Sequence, residues 1–305
     1  MYVSVAHLYR TMTAVNALLA AVGILGVSAS GPLMAGASAS AMAITFWRSA
    51  LATAVIAPAA LLTRRGELRS LDRRTLTLTV AAGLLLTAHF ATWVSSLKLT
   101  SVASATALVC LQAGFVVLFD RMRGNPATRA VVVGLVVSFS GVLVVSGVDF
   151  SLSPRALAGD LLALAGGAFA AGYTIVGSTV RRSVSTTTYT ALCYGTCALM
   201  SLAVCLVGGF QLGGYDGSTW AAIIGVTVCA QLLGHSVFNH LLAVMSPTVV
   251  SLSLLLEVPG AALLAGVFLD QAPPLGVYVG LVLIMAGLAL VVLRGRPAPA
   301  EAPLD

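Results

Sequence analysis

The side chains in this sequence that could do chemistry are a few polar residues placed inside long apolar runs. Glu257 lies in the middle of one such run. Gln231, His235 and Asn239 recur every fourth residue in another. Residues four apart lie on one face of an α-helix, so these three are expected to line a cavity together. A carboxylate surrounded by lipid is costly unless it is paired, hydrated or protonated, so Glu257 marks a functional site by default.

Two of these residues are candidates for carrying protons. Glu257 could take up and release a proton; the alternative is a permanently protonated Glu257 that is hydrogen-bonded to a neighbouring helix. His235 could titrate in the physiological range and act as a gate. The alternative for His235 is a neutral ring that shares a hydrogen bond between helices. The residues leave both pairs of alternatives open.

Aromatic and amide side chains extend the candidate binding site. His89 and Trp93 are one helical turn apart in a third run, while Tyr173 and Gln112 lie in two others. Aromatic rings and imidazole suit a flat or cationic organic ligand. Trp93 is alternatively an interfacial anchor, because it lies only a few residues from the end of its run.

Two of the runs are interrupted at corresponding places, by Gln112-Ala113-Gly114 and by Glu257-Val258-Pro259. Paired interruptions of this kind point to a binding site. Pro259 has no N–H for the carbonyl of Leu255, which frees that acceptor inside the helix. Gly114 and Pro259 are therefore predicted kink or gating points, with a simple packing kink as the alternative.

Arg48 is the basic residue that lies well inside an apolar run. A structural role is predicted for it, in which the side chain extends to the membrane interface or pairs with a carboxylate. Binding of an anionic group is the alternative.

Signals for catalysis are missing from the sequence. It contains no phosphate-binding lysine loop, no HExxH and no nucleophile elbow. All five cysteines lie inside apolar runs and have no His or acidic partner at metal-ligand spacing. We therefore predict no catalytic residue, no metal and no cofactor. An integral membrane enzyme that uses His89, His235 and Glu257 remains an alternative, and an accessory membrane scaffold is another.

The elements that must position these residues are membrane-spanning helices. Of the 305 residues 59% are hydrophobic and only 9% are charged, which excludes a water-soluble surface. The apolar runs are continuous and close to the ~20 residues that cross a bilayer, which indicates helices. Ten spans are predicted, namely 14–36, 41–62, 75–97, 103–119, 130–146, 158–180, 189–209, 220–244, 248–269 and 275–293.

Basic residues set the expected orientation. Thirteen of the sixteen fall in segments on one side of the predicted membrane, while the opposite segments carry only Lys98 and Arg155. The positive-inside rule then places both termini in the cytoplasm. Because the net charge of +6 arises from short clusters between spans, we expect no nucleic-acid partner.

An internal repeat is visible. The string SVASATALVCLQAGFVVLF from Ser101 and the string SPTVVSLSLLLEVPGAALL from Ser246 occupy the same place in their halves. Five helices in each half would give the second half an inverted orientation, as in many secondary transporters. The predicted repeats are residues 11–148 and 157–294, followed by a Pro/Ala-rich tail, 297–305, that is expected to be disordered.

These features resemble the EamA-type transporters of the drug/metabolite transporter superfamily. The strings that carry the resemblance are AITFWRSALATAVIAPAALLTRR, LKLTSVASATALV, GDLLALAGGAFAAGYTIVGSTVRR and LLLEVPGAALLAGVFLDQAPPLGVYVGLVLIMAGLAL. The chain departs from the family at Gly114, where a proline is usual, and at Asp270, where glutamate is more frequent. The resemblance implies an all-α protein with two five-helix repeats.

The function that the resemblance implies is export of small organic solutes, such as amino acids, related metabolites or drugs, by alternating access. The bilayer and a small-molecule substrate are the expected partners. Glu257 and His235 are the candidates for proton coupling, with uniport and exchange as the alternatives. A bacterial plasma (inner) membrane is the expected location, since fifteen of the sixteen basic residues are arginine. Neither the substrate, the direction of transport nor the oligomeric state follows from the residues.

Overall fold

A computed structural model describes residues 5–124, 127–147, 153–271 and 275–294, so the predicted tail 297–305 lies outside it. Helices form throughout these ranges, and they contain no strand. A short helix, Arg65–Ser70, lies between the second and third long helices. The long helices are α1 (Val5–Ser28, continued by Ser30–Gly36), α2 (Ala41–Thr63), α3 (Arg73–Ser96), α4 (Val102–Val109 and Gln112–Met122), α5 (Arg129–Gly147), α6 (Pro154–Val180), α7 (Thr186–Val207), α8 (Gly217–Val226, Thr227–His235 and Ser236–Leu241), α9 (Pro247–Ser253, Leu254–Leu256 and Glu257–Leu269) and α10 (Leu275–Arg294).

Eight helices in the described ranges are long and apolar enough to cross a membrane. Helices α5 and α10 lie where spans are predicted, but their apolar stretches are shorter, Arg129–Val144 and Tyr278–Gly287. The protein is therefore a multi-pass membrane protein. The full count of ten crossings and the cytoplasmic termini stay predictions.

Polar residues at the helix starts explain why the helices begin where they do. A serine or aspartate immediately before a helix accepts a hydrogen bond from a backbone N–H of the first turn, which has no partner within the helix. Ser101 does this for α4 and Ser246 does the same for α9, at equivalent places of the repeated strings. The other residues that cap helices in this way are Ser40, Asp72, Ser153, Ser185 and Asp216.

The outer surface of the helix bundle is apolar, as lipid contact requires. Leu62, Val207 and Val267 expose 85%, 92% and 74% of their surface, respectively. Inside the bundle, small residues let helices approach closely, because lipid offers no hydrophobic drive to hold helices together. A Cβ on Gly167 of α6 would lie 2.7 Å from the carbonyl oxygen of Val109 in α4.

The helices pack in pairs across the predicted halves: α1 contacts α8, α3 contacts α6, α2 contacts α7, and α5 contacts α10. In the α5–α10 contact, a glycine of each helix packs against the backbone of the other helix. A Cβ on Gly141 would meet the carbonyl oxygen of Gly280, and a Cβ on Gly287 would meet that of Gly134. At the centre, α4 and α9 cross where both are broken.

Candidate functional site

The breaks of α4 and α9 touch each other. Helix α4 is interrupted at Cys110 and Leu111, and α9 tightens into a 3₁₀ turn over Leu254–Leu256. The Cys110 thiol donates a 3.4 Å hydrogen bond to the carbonyl of Leu254. The breaks lie one to three residues before the predicted Gln112-Ala113-Gly114 and Glu257-Val258-Pro259.

The physical reason for this offset is the backbone bonding before each predicted kink. Pro259 cannot donate to the carbonyl of Leu255, so the turn before Pro259 adopts the tighter 3₁₀ form. In α4 the N–H of Gly114 likewise bonds the carbonyl of Leu111, three residues back, at 2.9 Å. Gly114 itself admits the ring of Phe139 from α5, since a Cβ there would lie 2.5 Å from that ring.

A central cavity of about 50 Å³ adjoins the two breaks. It has room for a few water molecules, at ~10–15 Å³ for each. Helices α3, α4, α6, α8 and α9 line it, and α1 adds Val27 and Ser30. Seven of the eight predicted cavity residues lie in its wall, namely His89, Trp93, Gln112, Tyr173, His235, Asn239 and Glu257.

Glu257 and Gln112 occupy matching positions in this wall. Each is the first residue of the last segment of its broken helix, directly after the break. Glu257 is 8% exposed and accepts a 3.3 Å hydrogen bond from the hydroxyl of Ser30 in α1. The site therefore presents an ionisable group from one half and a neutral amide from the other.

Aromatic side chains form another part of the wall. Trp93 stacks on His89 with ring centroids 5.7 Å apart, and it is 3% exposed, so its ring does not face lipid. Nδ1 of His89 lies 3.0 Å from the carbonyl oxygen of Gly166. Because a carbonyl only accepts, Nδ1 carries the proton and the ring is held in one orientation. His235 meets the ring of Tyr173 edge-on at 6.2 Å.

A hydrogen-bonded chain fixes the polar stripe of α8. The hydroxyl of Tyr173 donates to Oδ1 of Asn239 at 2.8 Å, and Nδ2 of Asn239 donates to the hydroxyl of Tyr194 at 3.2 Å. The chain joins α6, α8 and α7. Its residues are buried and away from bulk water, so these bonds give their polar groups the hydrogen-bond partners that they need.

Gln231, the eighth predicted cavity residue, lies outside the cavity wall. Residues Thr227–His235 form a π-helical segment, in which each turn takes more residues than in an α-helix. Residues four apart therefore no longer align, and Gln231 turns away from the stripe of His235 and Asn239. Its Oε1 accepts a 2.8 Å hydrogen bond from Nε of Arg48 instead.

Glu67 ties the segment between α2 and α3 to the start of α7. Its carboxylate accepts hydrogen bonds from the backbone N–H and the hydroxyl of Ser185 and from the hydroxyl of Thr188. Partial burial raises the pKa of Glu67, but the hydrogen bonds from Ser185 and Thr188 outweigh it, and the net pKa is below the ordinary value. At the opposite end of the α2–α7 pair, Trp47 donates to the carbonyl of Leu212 at 2.8 Å.

Sequence reasoning missed three residues of this arrangement. Ser30 and Cys110 are small side chains among many in apolar runs, and Glu67 lies in a charged connecting segment. The alignment of the two repeated strings could have indicated Cys110, because it falls just before the predicted interruption. Within the described residues, no group of three His, Cys, Asp or Glu side chains could hold a metal ion.

A multi-pass helical fold with a buried cavity that carries a few polar groups, at the place where two broken helices meet, is typical of a membrane transporter. The sequence model of the EamA-like transporter family matches residues 12–147 and 157–293. The chain belongs to this family, which is part of the drug/metabolite transporter superfamily. Its members move small molecules across a lipid bilayer.

Two individual proteins are similar to the chain. An uncharacterized transporter of Archaeoglobus fulgidus is 24% identical over 202 residues, which make up 65% of this chain and 70% of that protein. A solved crystal structure of a protein superposes with a TM-score of 0.71 at 22% identity, covering 92% of this chain and 97% of the other. The second likeness concerns the fold alone.

Proposed function

We propose that this protein is a secondary carrier that exports small organic solutes, such as amino acids, related metabolites or drugs, across the plasma membrane by alternating access. Its solute site is the central cavity at the breaks of α4 and α9. The observation that carries the proposal is the position of Glu257 and Gln112, which face one cavity from matching points of two broken helices.

An inverted repeat of residues 11–148 and 157–294 is part of the proposal. The helix contacts support it, because an exchange of the halves turns the α1–α8 contact into the α6–α3 contact and leaves the α2–α7 and α5–α10 contacts unchanged. The two separate matches of the family sequence model support it as well. Carriers with such repeats work by rocking one part against the other around a site at their interface.

The size of the cavity fits a contracted state of the carrier. About 50 Å³ lies well below the roughly 300–1,000 Å³ of ordinary ligand pockets, so the walls would separate to admit a solute. Alternating access supplies such a separation on each side in turn. Cavity residues on six helices would then change neighbours during every cycle.

Glu257 is the proposed coupling residue. It is the acidic side chain in the cavity wall, and its hydrogen bond to Ser30 joins α9 to α1. A carboxyl group that exchanges its proton for a solute would bind both in turn at one place. His235, also in the wall, is the second candidate for this role.

Counterflow in proteoliposomes tests the proposal. Purified protein is reconstituted with unlabelled solute inside, and uptake of labelled amino acids, nucleobases and cationic drugs is followed at several pH values. We expect saturable uptake by wild type, with a pH dependence that Glu257→Gln removes. If Glu257→Gln loses uptake at every pH, Glu257 belongs to solute binding or packing and not to coupling.

The same assay separates the carrier from the two other classes. An enzyme would convert the labelled compound, which chromatography of the vesicle contents would reveal. A scaffold would give neither uptake nor conversion from folded protein. Either result would contradict the carrier proposal.

A further inference from the structure

Arg48 is a buried cation whose direct contacts carry no opposite charge, although the carboxyl of Glu257 attracts it without a hydrogen bond. The side chain is 0% exposed. Nε donates to Oε1 of Gln231 at 2.8 Å, Nη1 donates to the sulfur of Met34 at 3.4 Å, and the guanidinium lies 3.9 Å from the ring centroid of Phe90. An amide, a thioether and an aromatic face can solvate a guanidinium in part, but none of them neutralises it.

Arg48 and Gln231 each also have a hydrogen-bond donor that lacks an acceptor among the described residues. Nη2 of Arg48 and Nε2 of Gln231 are buried and have no hydrogen-bond partner within the described part of the chain. They belong to two side chains that are in direct contact through the Nε–Oε1 bond. A buried donor without a partner costs free energy, more so when it is charged. The pair therefore lacks an acceptor, and an anionic acceptor would satisfy charge and hydrogen bonds together.

The missing acceptor would lie one helical turn from the central cavity. Ser30 lines the cavity, and Met34, which contacts Arg48, follows four residues later, about 6 Å along the helix axis. Phe90 contacts both places, since the guanidinium of Arg48 lies over its ring and the ring of the cavity residue His235 lies 5.2 Å away. Rotation of the Phe90 ring would open Arg48 to a solute in the cavity.

We propose that Arg48 and Gln231 form a subsite for the carboxylate of the transported solute. The inference rests on the proposed carrier function and narrows its substrate class to compounds that carry a carboxylate. The guanidinium would take both carboxylate oxygens through its fork of N–H groups, and the Gln231 amide would add a further donor. Glu257, which hydrogen-bonds Ser30 at the other end of the same turn, would face an ammonium group. An amino acid carries both groups.

Substitutions of Arg48 and Gln231 should weaken carboxylate binding for different reasons. A lysine at position 48 would keep the charge but lose the fork, so it would not replace Arg48. A glutamate at position 231 would place a permanent carboxylate beside the guanidinium. It would fill the subsite from within the protein and leave Arg48 paired, so the protein is expected to stay folded.

The test uses purified protein in lipid nanodiscs and matched pairs of probes, leucine with leucinamide and phenylalanine with phenylalaninamide. Each pair shares a side chain and an ammonium group and differs in the carboxylate. Affinity is measured from the ligand-dependent rise of the unfolding temperature. Wild type should bind the amino acid roughly 10- to 100-fold more tightly than the amide, the range for a hydrogen bond to a buried charge. Gln231→Glu and Arg48→Lys should each abolish most of this preference.

Arg155→Gln is the matched control, because Arg155 is an exposed arginine that lies outside the cavity wall. It should keep the full preference for the amino acid. Equal binding of amino acid and amide by wild type would overturn the subsite and leave the carrier proposal intact. Preference retained in Gln231→Glu would overturn it as well. If no probe binds and counterflow also detects no solute, both proposals fail.

A free inorganic anion is the other source of an acceptor. Comparison of sodium chloride with sodium isethionate, whose anion has no carboxylate, distinguishes it, because a chloride site would make the unfolding temperature of wild type depend on chloride. Loss of that dependence in Gln231→Glu, without any preference for amino acids over amides, would assign the site to chloride and contradict the solute subsite.

Discussion

The tie between Glu67 and the start of α7 gives the most quantitative test of the fold. Glu67 comes from the segment between α2 and α3, while Ser185 and Thr188 belong to the other predicted repeat. Replacement of Glu67 by glutamine keeps the shape of the side chain but removes its charge. It also turns one acceptor into an N–H₂ group that cannot accept from the hydroxyls.

The expected magnitude follows from the contacts. Glu67 accepts three hydrogen bonds at a helix N-terminus. Each bond to a buried charge would contribute about 1.5–3 kcal/mol. Glu67 is only half-buried, so solvent lowers each contribution to about 0–1 kcal/mol. Loss of the charge beside the helix N-terminus adds about 0.3–1 kcal/mol. Glu67→Gln loses the two bonds from hydroxyls and the charge, so it should lower the free energy of unfolding by about 0.3–3 kcal/mol in total.

A double-mutant cycle with Thr188→Val measures this tie directly. The two substitutions should couple by roughly 0.5–1 kcal/mol in chemical unfolding of the reconstituted protein at pH 7. The pKa of folded Glu67 is below its unfolded value, so the stabilisation is complete above the unfolded pKa and is lost as the pH falls through the folded pKa. The difference between wild type and Glu67→Gln should thus stay constant from neutral pH down to the ordinary glutamate range, and shrink below it. Zero coupling, or a difference that grows on acidification, would refute the reasoning.

Two further predictions concern packing and the polar chain. Gly141→Ala should destabilise the protein by about 1–3 kcal/mol, because the new Cβ would meet the backbone of α10, whereas Gly66→Ala meets nothing and should not destabilise it; thermal unfolding in nanodiscs compares them. Tyr173→Phe removes one interhelical hydrogen bond and should cost about 0.6–1.7 kcal/mol in the same assay. Asn239→Leu removes two and should cost more, and an equal or smaller loss would contradict the hydrogen-bonded chain.

Much of the site could be predicted because its residues stand out chemically in apolar helices. Glu257, His235 and Asn239 are polar groups that lipid would not tolerate, so an inward position follows from the energetics of the bilayer. The repeated strings also predicted that Gln112 and Glu257 occupy matching positions. Both signals can be read from the local sequence once the surrounding solvent is known to be lipid.

The rest depends on geometry that local sequence does not encode. The π-helical segment, which packs against α1 and α2, rotates Gln231 out of the predicted stripe. Ser30 gains its role only because α1 places it beside Glu257. Glu67 resembles any charged residue between two spans until the fold brings the start of α7 to it.

Blockage of the cavity tests the central claim that the solute passes through it. Ala170 of α6 lies in the cavity wall, and Leu161 of the same helix is 59% exposed on the outer surface. Counterflow should be saturable in wild type, absent from folded Ala170→Phe, whose ring would fill the cavity, and retained in Leu161→Phe. Undiminished counterflow through Ala170→Phe would contradict the account, because the solute would then take a path that avoids this cavity.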